Sequence, residues 1–144
     1  MIRLADNLWI GLANERVSDI KNSDIEAILN VAQDLQCVYG WPDVEYMQIG
    51  LIDGPGNPAT AYYAAVTALA TLLKRKRTLV LCHGGSRSLA VVMMYLCVLG
   101  EVKWDIRLDI LKERINTDLP TMHPIHREMF DSIDWRPIKN IIGK

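Results

Sequence analysis

Thr78-Leu79-Val80-Leu81-Cys82-His83-Gly84-Gly85-Ser86-Arg87-Ser88 is a short apolar run, then a glycine pair, then a Ser-Arg-Ser triplet that opens a longer apolar run. Thr78 to Leu81 are β-branched or apolar with turn signals directly behind them, the pattern of a strand buried in a parallel sheet. Gly84 and Gly85 allow positive φ and a close approach of backbone to a ligand. From Ser86 the chain reads as helix through Leu89-Ala90-Val91-Val92-Met93-Met94-Tyr95-Leu96. Strand, glycine turn and helix N-terminus in that order aim backbone N–H groups into one hollow, with the positive end of the helix dipole behind them. Such a hollow suits a phosphate. Arg87 offers a two-pronged clamp for it. Cys82 stands at the mouth as candidate nucleophile, because thiolates attack best where amides and cations converge.

Outward from this stretch, strand and helix patterns alternate. Residues 3–12 read as a pair of short strands, with Leu8-Trp9-Ile10-Gly11 the clearer one and Asp6-Asn7 the turn. A short helix is expected over residues 14–21 with Asn14 as cap, and strands over 25–32 and 44–49. The segment 34–43 reads as loop, as does the Gly- and Pro-rich segment 51–57. Asn57 is the expected cap of a helix starting at Pro58, whose apolar residues Tyr62, Val66, Leu69 and Leu73 recur at helical spacing. Lys74-Arg75-Lys76-Arg77 would close that helix with cations. After the central strand, a helix is expected to run to about Leu99 and stop at Gly100. Two more follow, one defined by Trp104, Leu108, Leu111 and Ile115 and one over about 124–133, with an irregular tail from Trp135. The pattern predicts an α/β fold, a largely parallel sheet covered on both faces, with the phosphate loop at the carboxyl end of a central strand.

The loop resembles the signature of the cysteine-dependent protein tyrosine phosphatases, in the dual-specificity branch: His-Cys, two residues, Gly, one residue, Ser-Arg-Ser. The resemblance extends over most of the chain. Leu8-Trp9-Ile10-Gly11 and Ala27-Ile28-Leu29-Asn30-Val31 are similar to two strands of that family, and Gln48-Ile49-Gly50-Leu51-Ile52-Asp53 to the strand that leads to its general-acid loop. The resemblance implies a single catalytic domain over residues 1–144 and a metal-independent phosphomonoester hydrolase without cofactor. It assigns Cys82 as nucleophile, His83 to Arg87 as phosphate loop, Ser88 as the hydroxyl that assists the thiolate, Asp53 as general acid and Asn30 as a brace for the loop. The substrate it implies is a phosphorylated protein or another phosphomonoester.

Two departures stand out. Four residues separate Cys82 from Arg87 where the family has five, and Leu81 holds the position of the family histidine. One alignment keeps Cys82 as nucleophile and shortens the loop before Ser86. The other runs gapless backward from Arg87, seats Leu81 where the nucleophile belongs, and describes a module that binds phosphate without chemistry. The first is preferred, because Gly84-Gly85 can tighten a shortened turn and an acid candidate is retained.

Other residues have plainer readings. An Asp before a glycine is an ordinary turn residue, and the resemblance is what favours Asp53 as acid, with Asp43 a weaker rival. Cys37 and Cys97 read as structural. His83, His123 and His126 lack the spacing of a metal set, and His123 and His126 read as surface residues. The four tryptophans read as core or lid, since no basic groove accompanies them. With 144 residues, half of them hydrophobic, and a formal net charge of -1, nothing points to nucleic acid or to a membrane. No apolar run is long enough to span a bilayer, and the first residues do not read as a signal peptide. Three cysteines without Cys-x-x-Cys spacing fit a reducing, cytoplasmic setting.

Overall fold

The computed structural model describes residues 1–36 and 43–143. Among them the elements run β1 (Ile2–Ala5), β2 (Leu8–Gly11), α1 (Val17–Asn22), β3 (Ala27–Ala32), β4 (Glu45–Leu51), α2 (Ala59–Leu73), β5 (Thr78–Leu81), α3 (Ser86–Gly100), α4 (Trp104–Arg114), α5 (Pro124–Ser132) and α6 (Arg136–Ile142). The strands form one sheet in the order β1-β2-β5-β3-β4. Only β1 lies antiparallel to its neighbour; β2, β5, β3 and β4 are parallel, as the strand–helix alternation predicts.

β5 is the central strand. Its four residues are buried and pair on one side with β2 (Gly11 opposite Leu81) and on the other with β3 (Asn30 opposite Leu81). The alternation of side chains along β5 divides the core. Leu79 and Leu81 join Trp9, Ile20, Ile25 and Ile28 on the face covered by α1, whereas Val80 and Cys82 join the larger core beneath α2, α3, α4 and α6. α3 carries almost no polar side chain between Leu89 and Met94 and is buried all round there, as a helix enclosed by other elements must be. It packs on α2, α4, α5 and α6 and against β2, β3 and β5.

Several local expectations differ from what forms. Asn14 does not cap α1, which starts at Val17 with Arg16 as its N-cap. Asn57 does not cap α2 either; Pro58 holds that position, and the Asn57 amide instead closes the preceding loop. α3 includes Gly100, and Glu101 takes the left-handed conformation at φ 52° that ends it. The run 74–77 lies past the end of α2. Lys76 and Arg75 reach Glu45 at 3.4 and 3.8 Å, and the Arg77 guanidinium lies 5.0 Å from the Trp9 ring centroid. The tail is not irregular. Pro137 is compatible with a first helical turn, and Ile138 and Ile142, four residues apart, anchor α6 in the core against α2. Cys37, Gly40, Trp41 and Pro42 of the expected loop lie outside the described residues.

Candidate active site

Because β2, β5, β3 and β4 run parallel, the segments that leave them all emerge at one edge of the sheet, and the sequence-derived site residues sit there. The backbone turns directly after Leu81. The Cys82 sulphur, rather than the Leu81 side chain, faces the turn. Sγ accepts from the backbone N–H of Gly85 at 3.1 Å and of Ser88 at 3.4 Å. Its S–H faces Ser88 Oγ at 3.4 Å, and that hydroxyl donates to the Gly85 carbonyl at 3.1 Å. Gly85 adopts φ +89°, a conformation side chains resist. A Cβ placed on it would lie 2.5 Å from two Pro120 side-chain atoms. Pro120 therefore presses directly on the turn, and Cys82 has no exposed surface.

Arg87 is 4 % exposed. Its Nη1 donates to Asp34 Oδ1 at 2.9 Å and to the Leu51 carbonyl at 2.8 Å, while its buried Nε has no partner among the described residues. An orphaned buried N–H costs roughly 1–3 kcal/mol unless something fills its place, and an anion in the turn would do so. Asp34 follows β3 and is well exposed. The Arg87 guanidinium holds its carboxyl below the usual carboxylate range. His83 Nε2 also approaches Asp34, at 3.3 Å from the carbonyl oxygen and 3.6 Å from Oδ1. Asn30 donates to the Leu35 carbonyl at 2.7 Å and to the Tyr46 hydroxyl at 2.9 Å, and accepts from Ala32 N at 3.0 Å. Its bonds to described residues thus brace the segment that carries Asp34, and reach the phosphate loop only through that ion pair.

Asp53 arrives from the loop after β4. Asn57 Oδ1 accepts from Ile52 N and its Nδ2 donates to the Ile52 carbonyl, both at 2.8 Å, which closes this loop on itself. Asp53 Oδ1 accepts from Ser86 Oγ at 2.7 Å, and Ser86 Oγ in turn accepts from His123 N at 2.9 Å. The same Oδ1 lies 2.9 Å from His126 Nε2, and His126 Nδ1 lies 2.8 Å from the Tyr62 hydroxyl. Partial burial pushes the Asp53 carboxyl up. The hydrogen bonds from Ser86 and His126 and the nearby positive charge outweigh that, so it ends below its ordinary value. Burial lowers the His126 imidazole against the pull of Asp53, which makes the contact a neutral N–H bonded to a carboxylate rather than an ion pair.

Of the two histidines read as surface residues, His126 is not one, and His123 is half-buried. His123 caps α5, its Nδ1 accepting from Ile125 N at 3.1 Å, and His126 is fully buried. Asp43 precedes β4, at the opposite edge of the sheet, beside Lys21, Asp24, Glu26 and Arg77. Cys97 is buried in α3, its thiol pushed up to about 11 by burial. Asp34, Tyr62 and His126 escaped the sequence reading as site residues. Asp34 lay in an expected loop and Tyr62 on an expected helix face. The one available signal was His126, a histidine on the inward face of a helix that also carries Met129 and Phe130.

No protein-family profile matches the chain, and no curated protein does. Solved structures do. A mouse putative dual-specificity phosphatase complexed with zinc tungstate aligns with a TM-score of 0.78 over 98 % of this chain and 90 % of its own, at 20 % identity. Human DUSP28 aligns at 0.76 over 92 % and 94 %, at 18 % identity. DUSP15 aligns at 0.75 over 99 % and 94 %, at 19 % identity. The chain thus has the fold of the dual-specificity phosphatases, the α/β architecture that the loop resemblance implies.

Proposed function

We propose that this protein is a phosphomonoester hydrolase working through a cysteinyl-phosphate intermediate, with protein phosphotyrosine or phosphoserine/threonine as the substrate class. The observation that carries this reading is the convergence of a thiol, two loop N–H groups and a buried arginine, its Nε without a partner among the described residues, on one turn at a helix N-terminus. The N–H groups of Gly85 and Ser88 hold the sulphur, and the phosphoryl oxygens take other N–H groups of the loop and the Arg87 fork. Cys82 first loses its thiol proton to solvent, and the thiolate sulphur attacks phosphorus. As the S–P bond forms, the bond to the leaving oxygen breaks, and that oxygen keeps the electron pair and receives a proton from Asp53. In the second step a water oxygen bonds to phosphorus and gives its proton back to Asp53. The S–P bond breaks and its pair returns to sulphur. No step draws on a metal or cofactor. The Ser88 hydroxyl, 3.4 Å from the sulphur, would stabilise it as the leaving group by turning its proton from the Gly85 carbonyl to the thiolate.

A second reading rests on a specific observation. Cys82 has no exposed surface and Pro120 presses on Gly85. A protein that kept this closed turn would bind an anion at the loop rim and turn nothing over, a phosphate-reading module. Hydrolysis of an aryl phosphate in the presence of a chelator, compared between wild type and Cys82→Ser, separates the two. The hydrolase reading expects turnover in the wild type and a loss of roughly 10⁴-fold or more in Cys82→Ser, with tungstate or phosphate binding kept. A wild type that binds tungstate and hydrolyses nothing establishes the module instead.

A further inference from the structure

Asp53 is the terminus of a buried chain of side chains from two helices. Asn57 Nδ2 donates to the Tyr62 oxygen at 3.3 Å, which leaves the Tyr62 proton to be donated to His126 Nδ1. With Nδ1 accepting, the proton of the neutral imidazole sits on Nε2 and is donated to Asp53 Oδ1. Tyr62 and His126 are both fully buried, so neither can trade its partner for water. Oδ1 receives a second donor from Ser86, whereas Oδ2 has no hydrogen bond to a described residue and the side chain is 39 % exposed.

We propose that Tyr62 and His126 are positioning residues that pin Asp53 by Oδ1 beside the loop and leave Oδ2 as the atom that exchanges a proton with the substrate. This rests on the phosphatase reading for its kinetic meaning and on the geometry alone for its structural one. The tautomer is what makes the arrangement directional: were the proton on Nδ1, Nε2 would face the Asp53 carboxylate with no donor between them. The groups that face His126 are Tyr62 from α2, Asp53 from the loop after β4, His123 from its own helix with ring centroids 6.1 Å apart, and Arg87 from α3, which acts through its charge. Removal of the Nε2 donor takes away one of two bonds that favour the Asp53 carboxylate over the acid. The protonated, proton-donating form of Asp53 then persists to higher pH.

Nuclear magnetic resonance reads this without reference to turnover. In the wild type, imidazole ¹⁵N shifts of His126 at neutral pH should report a proton on Nε2 and a bare Nδ1. The opposite tautomer overturns the proposal, and this measurement needs no variant. The carboxyl carbon of Asp53 should titrate at higher pH in His126→Phe, by roughly one unit. It should stay close to wild type in His126→Gln, whose amide can still donate. Equal titration in wild type and His126→Phe also overturns it. If His126→Phe does not fold, Tyr62→Phe serves: the bare Nδ1 loses its donor, and the proton should redistribute between the two nitrogens. A tautomer unchanged by Tyr62→Phe refutes the role given to Tyr62. In kcat/KM profiles the alkaline limb should move up with the carboxyl titration in His126→Phe, about tenfold more activity on that limb than a pH-independent loss would leave. If the carboxyl titration moves as expected and the wild type has no activity, the relay stands and the phosphatase reading falls.

Discussion

The loop after β5 and the loop after β4 both deliver a chemical group to the same edge of the sheet, and they hold it by different means. Cys82 is fixed within seven consecutive residues: its partners are the amides of Gly85 and Ser88 and the hydroxyl of Ser88, and Pro120 and Leu12 close over the turn. Asp53 is fixed by side chains that come from far along the chain, Ser86 on α3 and His126 on α5, with Tyr62 on α2 behind them. The first loop is rigid because its backbone has nowhere else to go. The second is positioned because polar atoms agree, so it can be loosened one hydrogen bond at a time. On the proposed hydrolase reading, such a site would combine a fixed anion cradle with an adjustable proton donor.

Arg87→Lys strikes the cradle hardest. Lysine keeps the charge and loses the fork that spans Asp34, the Leu51 carbonyl and the anion. We expect kcat/KM for an aryl phosphate to fall roughly 10²–10³-fold; a near-normal rate would mean that the buried guanidinium serves the fold alone. Asp53→Asn strikes the donor. Proton donation matters most for a poor leaving group. Phenyl phosphate should therefore lose on the order of 10²-fold while a nitrophenyl phosphate loses only a few-fold. Equal losses on the two substrates would assign Asp53 to loop structure instead.

Gly85→Ala tests how fixed the cradle is. The added Cβ meets Pro120 and the residue must keep positive φ. Urea unfolding should register a loss of roughly 2–4 kcal/mol; an unchanged midpoint would show that the turn relaxes freely and that the contrast between the loops is overstated. The smallest effect is expected from Asp34→Asn. Its exposed carboxylate occupies Arg87 Nη1 and repels an incoming phosphate. KM should drop by about two- to fivefold, with the difference shrinking as salt is added. A rise in KM would mean that Asp34 helps to hold Arg87 in place more than it competes for it.

The same contrast explains what was legible in the sequence. Cys82, Gly85, Arg87 and Ser88 belong to one contiguous stretch, and their geometry follows from strand, glycine turn and helix start, which local pattern encodes. A largely parallel sheet with β5 as a central strand was readable for the same reason, since alternation of buried strands with helices leaves few topologies, whereas the strand order was not read. Tyr62, His126 and Asp34 were not, because each acts through a partner more than 50 residues away or on a neighbouring strand's loop, and no local period marks such a contact. Asn57 was misread in an instructive way. Before a helix that starts near proline it has the composition of a cap, yet its amide finds both backbone groups of Ile52 within reach and closes the loop that carries Asp53 instead. α6 was missed because its seven residues offer only two inward side chains, too few for a periodic signal.

The position of β5 has a consequence for biosynthesis. The strand that leads to Cys82 is the last of the five to leave the ribosome, yet it lies in the middle of the sheet, between β2 and β3. Until residues 78–81 emerge, β1 can pair only with β2 and β3 only with β4, as separate pairs. Each pair presents an unfilled edge toward the gap. Unfilled edges are templates for pairing with other chains. Translation that stalls between α2 and β5 would therefore leave an aggregation-prone product, and completion of the turn at 82–88 coincides with closure of the sheet.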